Sequence, residues 1–212
     1  MDENDFYLKQ MLTFYHQDPL LRAHNGKQVL DALFKDKKLS DILYFMNDSR
    51  CPEEVKQYGI SKLEQELTSM AKDLELEQKL EYIGAMQSVL ESKLPLSIKH
   101  SYLETIIDQG LVIQVYEISK DPNNVNKSLA EHYLGRFFHV LQYNDYFSEP
   151  KIKELMSIIA LKLADLLIDN KDFKTLYELR DNSSIESVNK RIDEFLKYFA
   201  YLRPDSQDSK TD

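Results

Sequence analysis

The sequence has one cysteine, no tryptophan, five glycines and six prolines in 212 residues. The single cysteine, Cys51, excludes an intramolecular disulfide. So few glycines and prolines do not supply the many tight turns of a β-sandwich or barrel. Nor do they build a glycine-rich phosphate loop, in which backbone must approach the anion closely. No apolar run reaches the ~18 residues of a membrane span. The acidic opening Met1-Asp2-Glu3-Asn4-Asp5 lacks the basic and apolar regions of a secretory signal. The expected location is therefore the cytoplasm or nucleus, with no membrane contact. Positive charge is outnumbered, 27 Lys and Arg against 36 Asp and Glu. The net charge is −9 and no cluster of Lys and Arg occurs, which argues against direct nucleic-acid binding. A basic protein segment is the electrostatically natural partner.

What the chain does have is helical spacing. Apolar residues recur three and four apart almost throughout. Leu8, Met11, Leu12 and Tyr15 make a first stripe. Asp18-Pro19 reads as an N-cap and first-turn pair, opening a helix that Asn25-Gly26 is expected to kink or break. Ser40 is placed as the cap of a short helix with Ile42 and Phe45, and Pro52 opens one with Val55, Leu63 and Leu67. One helix is expected over 71–92, and another after Pro95 that ends at Gly110. Residues 111–120 are β-branched, but a lone strand has nothing to pair with, so a short buried helix is expected. Asp121-Pro122 is expected to start a long helix through Val125 and Tyr133 to Leu141. Glu149-Pro150 starts the most apolar helix, read as central and apolar on several sides. Ser183 and Glu186 have the spacing of a capping box for the last helix.

Five of the six prolines, 19, 52, 95, 122 and 150, stand where a longer helix begins, with short helices just before them. The run Tyr44, Met46, Asp48, Pro52, Val55, Leu63 can be laid over Tyr116, Ile118, Asp121, Pro122, Val125, Tyr133. Such self-similarity points to an all-α fold, a short right-handed α-solenoid of antiparallel helix pairs, with an irregular helical bundle as the alternative. A single helical domain over 1–202 is expected, with a disordered tail over 203–212. The stretch Leu39–Leu67, with Pro52-Glu53-Glu54-Val55 leading to Leu63, resembles a HEAT repeat. Ile106–Leu141, with Asp108-Gln109-Gly110-Leu111 and Pro122-Asn123-Asn124-Val125, looks like an armadillo repeat. Phe14-Tyr15, Pro19, Arg22 and Ala23 are similar to the opening of importin-β and exportin-type solenoids. The resemblance implies a scaffold that recognises another protein along its surface.

Chemistry is hard to find. Of His16, His24, His100, His132 and His139, none forms a His-x-x-x-His pair, so no metal site is expected. Arg50 beside Cys51 is expected to lower the thiol's pKa somewhat, without making a catalytic site. Asp73, Glu75, Glu77 and Glu81 read as a solvated helix face or an acidic strip for a basic partner. No cofactor, small-molecule substrate or enzymatic activity is expected. The reading is a non-enzymatic scaffold or adaptor; the alternative is an assembly chaperone or obligate subunit of a larger complex. The densest aromatic stretch gives the candidate partner-binding residues Arg136, His139, Tyr143 and Tyr146, since tyrosine and arginine are favoured where proteins meet.

Overall fold

The computed structural model describes residues 3–72 and 74–202. The fold is all-α: among the described residues there are twelve α-helices, a single 3-10 turn and no strand. The chain divides between Phe137 and Phe138 into two compact units. The expected tail over 203–212 lies outside the described residues.

The first unit holds α1 (Glu3–Tyr15), α2 (Pro19–Lys35), α3 (Leu39–Asn47), α4 (Glu53–Lys72), α5 (Leu76–Gly84), α6 (Met86–Glu91), α7 (Leu96–Gln109), α8 (Leu111–Lys120) and most of α9 (Lys127–Gln142). The long helices α2, α4 and α7 lie side by side in that order, and the short helices α3, α5 and α8 do the same. Leu30, Leu63 and Leu103 of the long row and Ile42, Leu80 and Val115 of the short row are buried to within 1%.

Several starts and stops follow the sequence. Asp18 caps α2 by accepting the Leu20 N–H at 2.9 Å, with Pro19 in the first turn. Gly110 joins α7 to α8 as a single left-handed residue (φ 60°), a conformation that side-chain-bearing residues adopt at a cost. Residues 111–120 form the short buried helix α8.

Asn25-Gly26 does not break α2. A Cβ on Gly26 would stand 2.7 Å from Val55 Cγ2 and 3.0 Å from Thr13 Cγ2, so the glycine lets α1 and α4 close on α2. That contact buries Thr13 completely, and Phe14 reaches Phe45 of α3 at 5.3 Å between centroids. The consequence reverses the expected packing of α1. Leu8, Met11 and Tyr15 of the first stripe are left more than half exposed.

Other boundaries move for local reasons. The span 71–92 is divided: α4 runs to Lys72, and a new helix starts at Leu76 under a capping box of Glu75 and Gln78. Ser40 is not a cap; α3 starts one residue before it, and its N–H goes to Glu81 at 3.3 Å. Helix α9 starts at Lys127 rather than at Pro122. Asp121 accepts the Asn123 N–H, and Asn124 accepts the Asn126 N–H, both at 2.9 Å. These side chains offer the backbone an alternative to the helix. Val125, expected in the core, is 94% exposed.

The second unit holds the end of α9, the 3-10 turn Asn144–Phe147, α10 (Pro150–Asp169), α11 (Phe173–Asn182) and α12 (Glu186–Leu202). Helix α10 packs on α11, α12 and the 3-10 turn. Ile152, Leu155, Ile159, Leu163 and Leu167 make its buried stripe, whereas Lys153, Glu154, Lys162 and Asp165 are exposed. The helix is central to its unit but amphipathic, not apolar on several sides. Ser183 does not complete the expected box with Glu186. Its hydroxyl accepts the Ile185 N–H at 3.1 Å, and α12 starts after that.

One turn occurs twice. Lys37 and Lys171 are the non-glycine residues of positive φ among those described (55° and 53°). After α2, Lys37 N–H donates to Phe34 O and Lys38 N–H to Leu33 O; after α10, Lys171 N–H donates to Ile168 O and Asp172 N–H to Leu167 O. Both are Schellman turns that end a long Pro-started helix and lead straight into a short one. Each lysine sits at the negative end of a helix dipole, which offsets part of the ~1–2 kcal/mol cost of its left-handed backbone.

Candidate functional site

The end of α9 carries the expected aromatic stretch. Phe137, Phe138, Val140 and Leu141 point inward and are buried. His139 therefore faces outward, and Tyr143 follows where the helix stops. Helix α9 is ended by its neighbours. The Leu141 carbonyl accepts both the Ser184 N–H at 2.9 Å and the Ser184 hydroxyl at 2.7 Å. Gln142 donates its side-chain amide to Asn182. The segment between α11 and α12 thus satisfies an orphan carbonyl of α9 and fixes where the next residues emerge. The 3-10 turn follows, with Phe147 buried as its anchor.

This geometry gathers three side chains named from the sequence. The His139 and Tyr143 rings lie 4.8 Å apart between centroids, with Tyr143 Oη 3.1 Å from His139 Nε2. Tyr143 and Tyr146 are 5.6 Å apart. Tyr143 is 43% exposed, His139 is exposed and Tyr146 is half-buried. Arg136 stands apart from this set. It belongs to the first unit and is half-buried, and its charge bears on the buried Tyr102 hydroxyl.

The remaining candidates resolve into structural roles. Glu75 caps α5, Glu81 turns in to accept Ser40 N–H and has its pKa raised by burial, and Asp73 lies outside the described residues. The acidic run is therefore not one solvated strip. Among the described residues no group of three His, Cys, Asp or Glu side chains is placed to hold a metal ion. A groove of about 820 Å³ in the first unit is lined by Glu53, Lys56, Glu91 and Lys93 over Met46 and Leu94. Its carboxylates Glu53 and Glu91 accept from Gln57 and Gln87, each one turn away on its own helix.

Arg50 does not activate Cys51. The guanidinium is held by Asp48, at 2.6 Å and 2.8 Å, and this pairing lowers the Asp48 carboxyl to about 2. Burial dominates at the thiol and pushes it up to about 11. The thiolate is the reactive form, so Cys51 is expected to react with a maleimide at pH 8 at least tenfold more slowly in the folded chain than in urea. Equal rates would mean that the site is open.

Comparison with family models, curated proteins and solved structures finds no match to this chain. Two surface features were not anticipated from the sequence. One is the exposed apolar face of α1. The other is the Arg50 node, where the guanidinium bonds Asp48 and the Tyr15 hydroxyl and lies 4.6 Å from the Phe14 ring centre. The spacing of Leu8, Met11 and Tyr15 was visible; which side of the helix is buried depended on Gly26 in the next helix, whose missing side chain admits Thr13 and Val55.

Proposed function

We propose that the protein is a non-enzymatic interaction module, a helical-repeat scaffold or adaptor that holds a segment of another protein. The observation that carries this reading is the row of His139, Tyr143 and Tyr146 at the end of α9 and the turn after it, in which Tyr143 touches both other rings and His139 and Tyr143 are exposed. Tyrosine offers a ring and a hydroxyl together at low entropic cost, and ring faces attract Lys and Arg. With a net charge of −9, a basic segment is the favoured ligand.

The repeat reading is supported by the ordered rows α2, α4, α7 and α3, α5, α8, and by the turn shared between α2–α3 and α10–α11. In such arrays each helix pair buries its apolar face only against the next. The alternative, an obligate subunit of a larger assembly, is favoured by the apolar face left open on α1.

The test is recovery of partners from native cells with the wild-type chain and with Tyr143→Ala/Tyr146→Ala. A partner retained in stoichiometric amount by the wild type is expected to fall at least tenfold with the double variant, at unchanged melting temperature. A sharp drop in melting instead assigns both rings to structure, and undiminished recovery removes this site from the reading.

A further inference from the structure

Helix α1 is held chiefly from one side; on the other, Arg50, itself paired with Asp48, bonds the Tyr15 hydroxyl at the C-terminal end. Thr13 is buried against α2 and α4, its carbonyl accepts from Arg22 Nε at 3.1 Å, and Phe14 packs on Phe45. On the other side Tyr7, Leu8, Met11 and Tyr15 fall within an arc of roughly 100° on the helix. They are 56%, 58%, 56% and 58% exposed. A helix face that meets only water is ordinarily polar; this one is apolar.

Area and charge say what fits there. Four such side chains, each a little over half exposed, offer on the order of 400 Å². A stable dimer of two copies needs about 800 Å² from each. One amphipathic helix, with anchors about a turn apart, matches the smaller figure. The only lysine of α1, Lys9, is taken by Asp5 at 3.0 Å. Glu3 at one end of α1 and Asp18 just past the other are exposed and, among the described residues, have no cation bound to them.

We propose that this face docks a single amphipathic helix of a partner protein, with Leu or Met anchors at i, i+4 and i+7 and Lys or Arg at both ends. The proposal rests on the reading of the chain as an interaction module, but uses a surface separate from the ring cluster.

The probe is an 18-residue labelled peptide with leucines at that spacing and lysines at both ends, titrated with the full chain by fluorescence anisotropy. Two controls share its length: one ends in glutamates, and one has the same composition scrambled. The lysine-ended helix is expected to bind at least tenfold tighter than either. Leu8→Gln/Met11→Gln should weaken it at least tenfold without moving the melting temperature, and Tyr143→Ala/Tyr146→Ala should leave it unchanged. If the Gln variant melts early, the comparison of the three peptides on the wild-type chain still decides. Equal binding of any control, or binding that survives the Gln variant in a folded chain, overturns the proposal. So does a dimer in sedimentation that the Gln variant abolishes, since a second copy then covers the face. Peptide binding kept while the ring cluster fails its own test would sink the site proposed above and leave this one standing.

Discussion

Leu163→Asp is expected to unfold the second unit. Leu163 is fully buried in α10, the helix against which α11, α12 and the 3-10 turn all pack. A carboxylate there has no partner, and either its charge or its protonation must be accommodated in an apolar setting. The loss is at least about 4 kcal/mol, out of the roughly 5–15 that a domain holds. Circular dichroism should lose a large part of its helical signal, and the urea midpoint should collapse. Lys162→Asp, one residue away on the exposed face, is the control and should change stability by under about 0.5 kcal/mol. Wild-type helicity and midpoint in the Leu163 variant would mean that α10 is not the centre of its unit.

Gly26→Ala sets two effects against each other. Alanine gains about 1 kcal/mol in helix propensity over glycine. The added methyl, however, meets Val55 Cγ2 at 2.7 Å and Cγ1 at 2.9 Å. Val55 is buried completely, and a valine within a helix strongly prefers a single rotamer, so it yields little. Overpacking of this kind costs about 1–3 kcal/mol. The contact should win, with a net loss of about 1–2 kcal/mol in urea unfolding. A gain in stability would show that α1 is not seated on Gly26, and would remove the reason its apolar face is turned outward.

Helix content was legible because spacing and caps agreed. Asp18-Pro19, Glu149-Pro150 and Gly110 act at the positions where their chemistry places them. The β-branched run 111–120 was also legible, once its lack of a strand partner was weighed against its composition. Failures came where two local signals competed. Pro122 suits a helix start, but Asp121 and Asn124 bond to the backbone just ahead and hold it in turns. This removes Pro122 and Val125 from the alignment with Pro52 and Val55. A closer local match lies elsewhere: Leu33, Lys37 and Ile42 hold the same places about one turn as Leu167, Lys171 and Leu176 about another, and only the shared backbone bonds reveal it. At the candidate site, the density of aromatic residues marked a stretch in which His139, Tyr143 and Tyr146 come to lie together. Spacing along α9 does not show where the division between the units falls, just past Arg136.

The segment 121–126 bears on how the chain can be handled. Its backbone is held by its own Asp and Asn side chains rather than by the core, and Val125 stands almost wholly in water. Loop tips of this kind are where proteolytic nicking concentrates and where inserted sequence is best tolerated. A fluorophore or an epitope attached at Val125 replaces a side chain that already stands in water and leaves the Asp121 and Asn124 bonds in place.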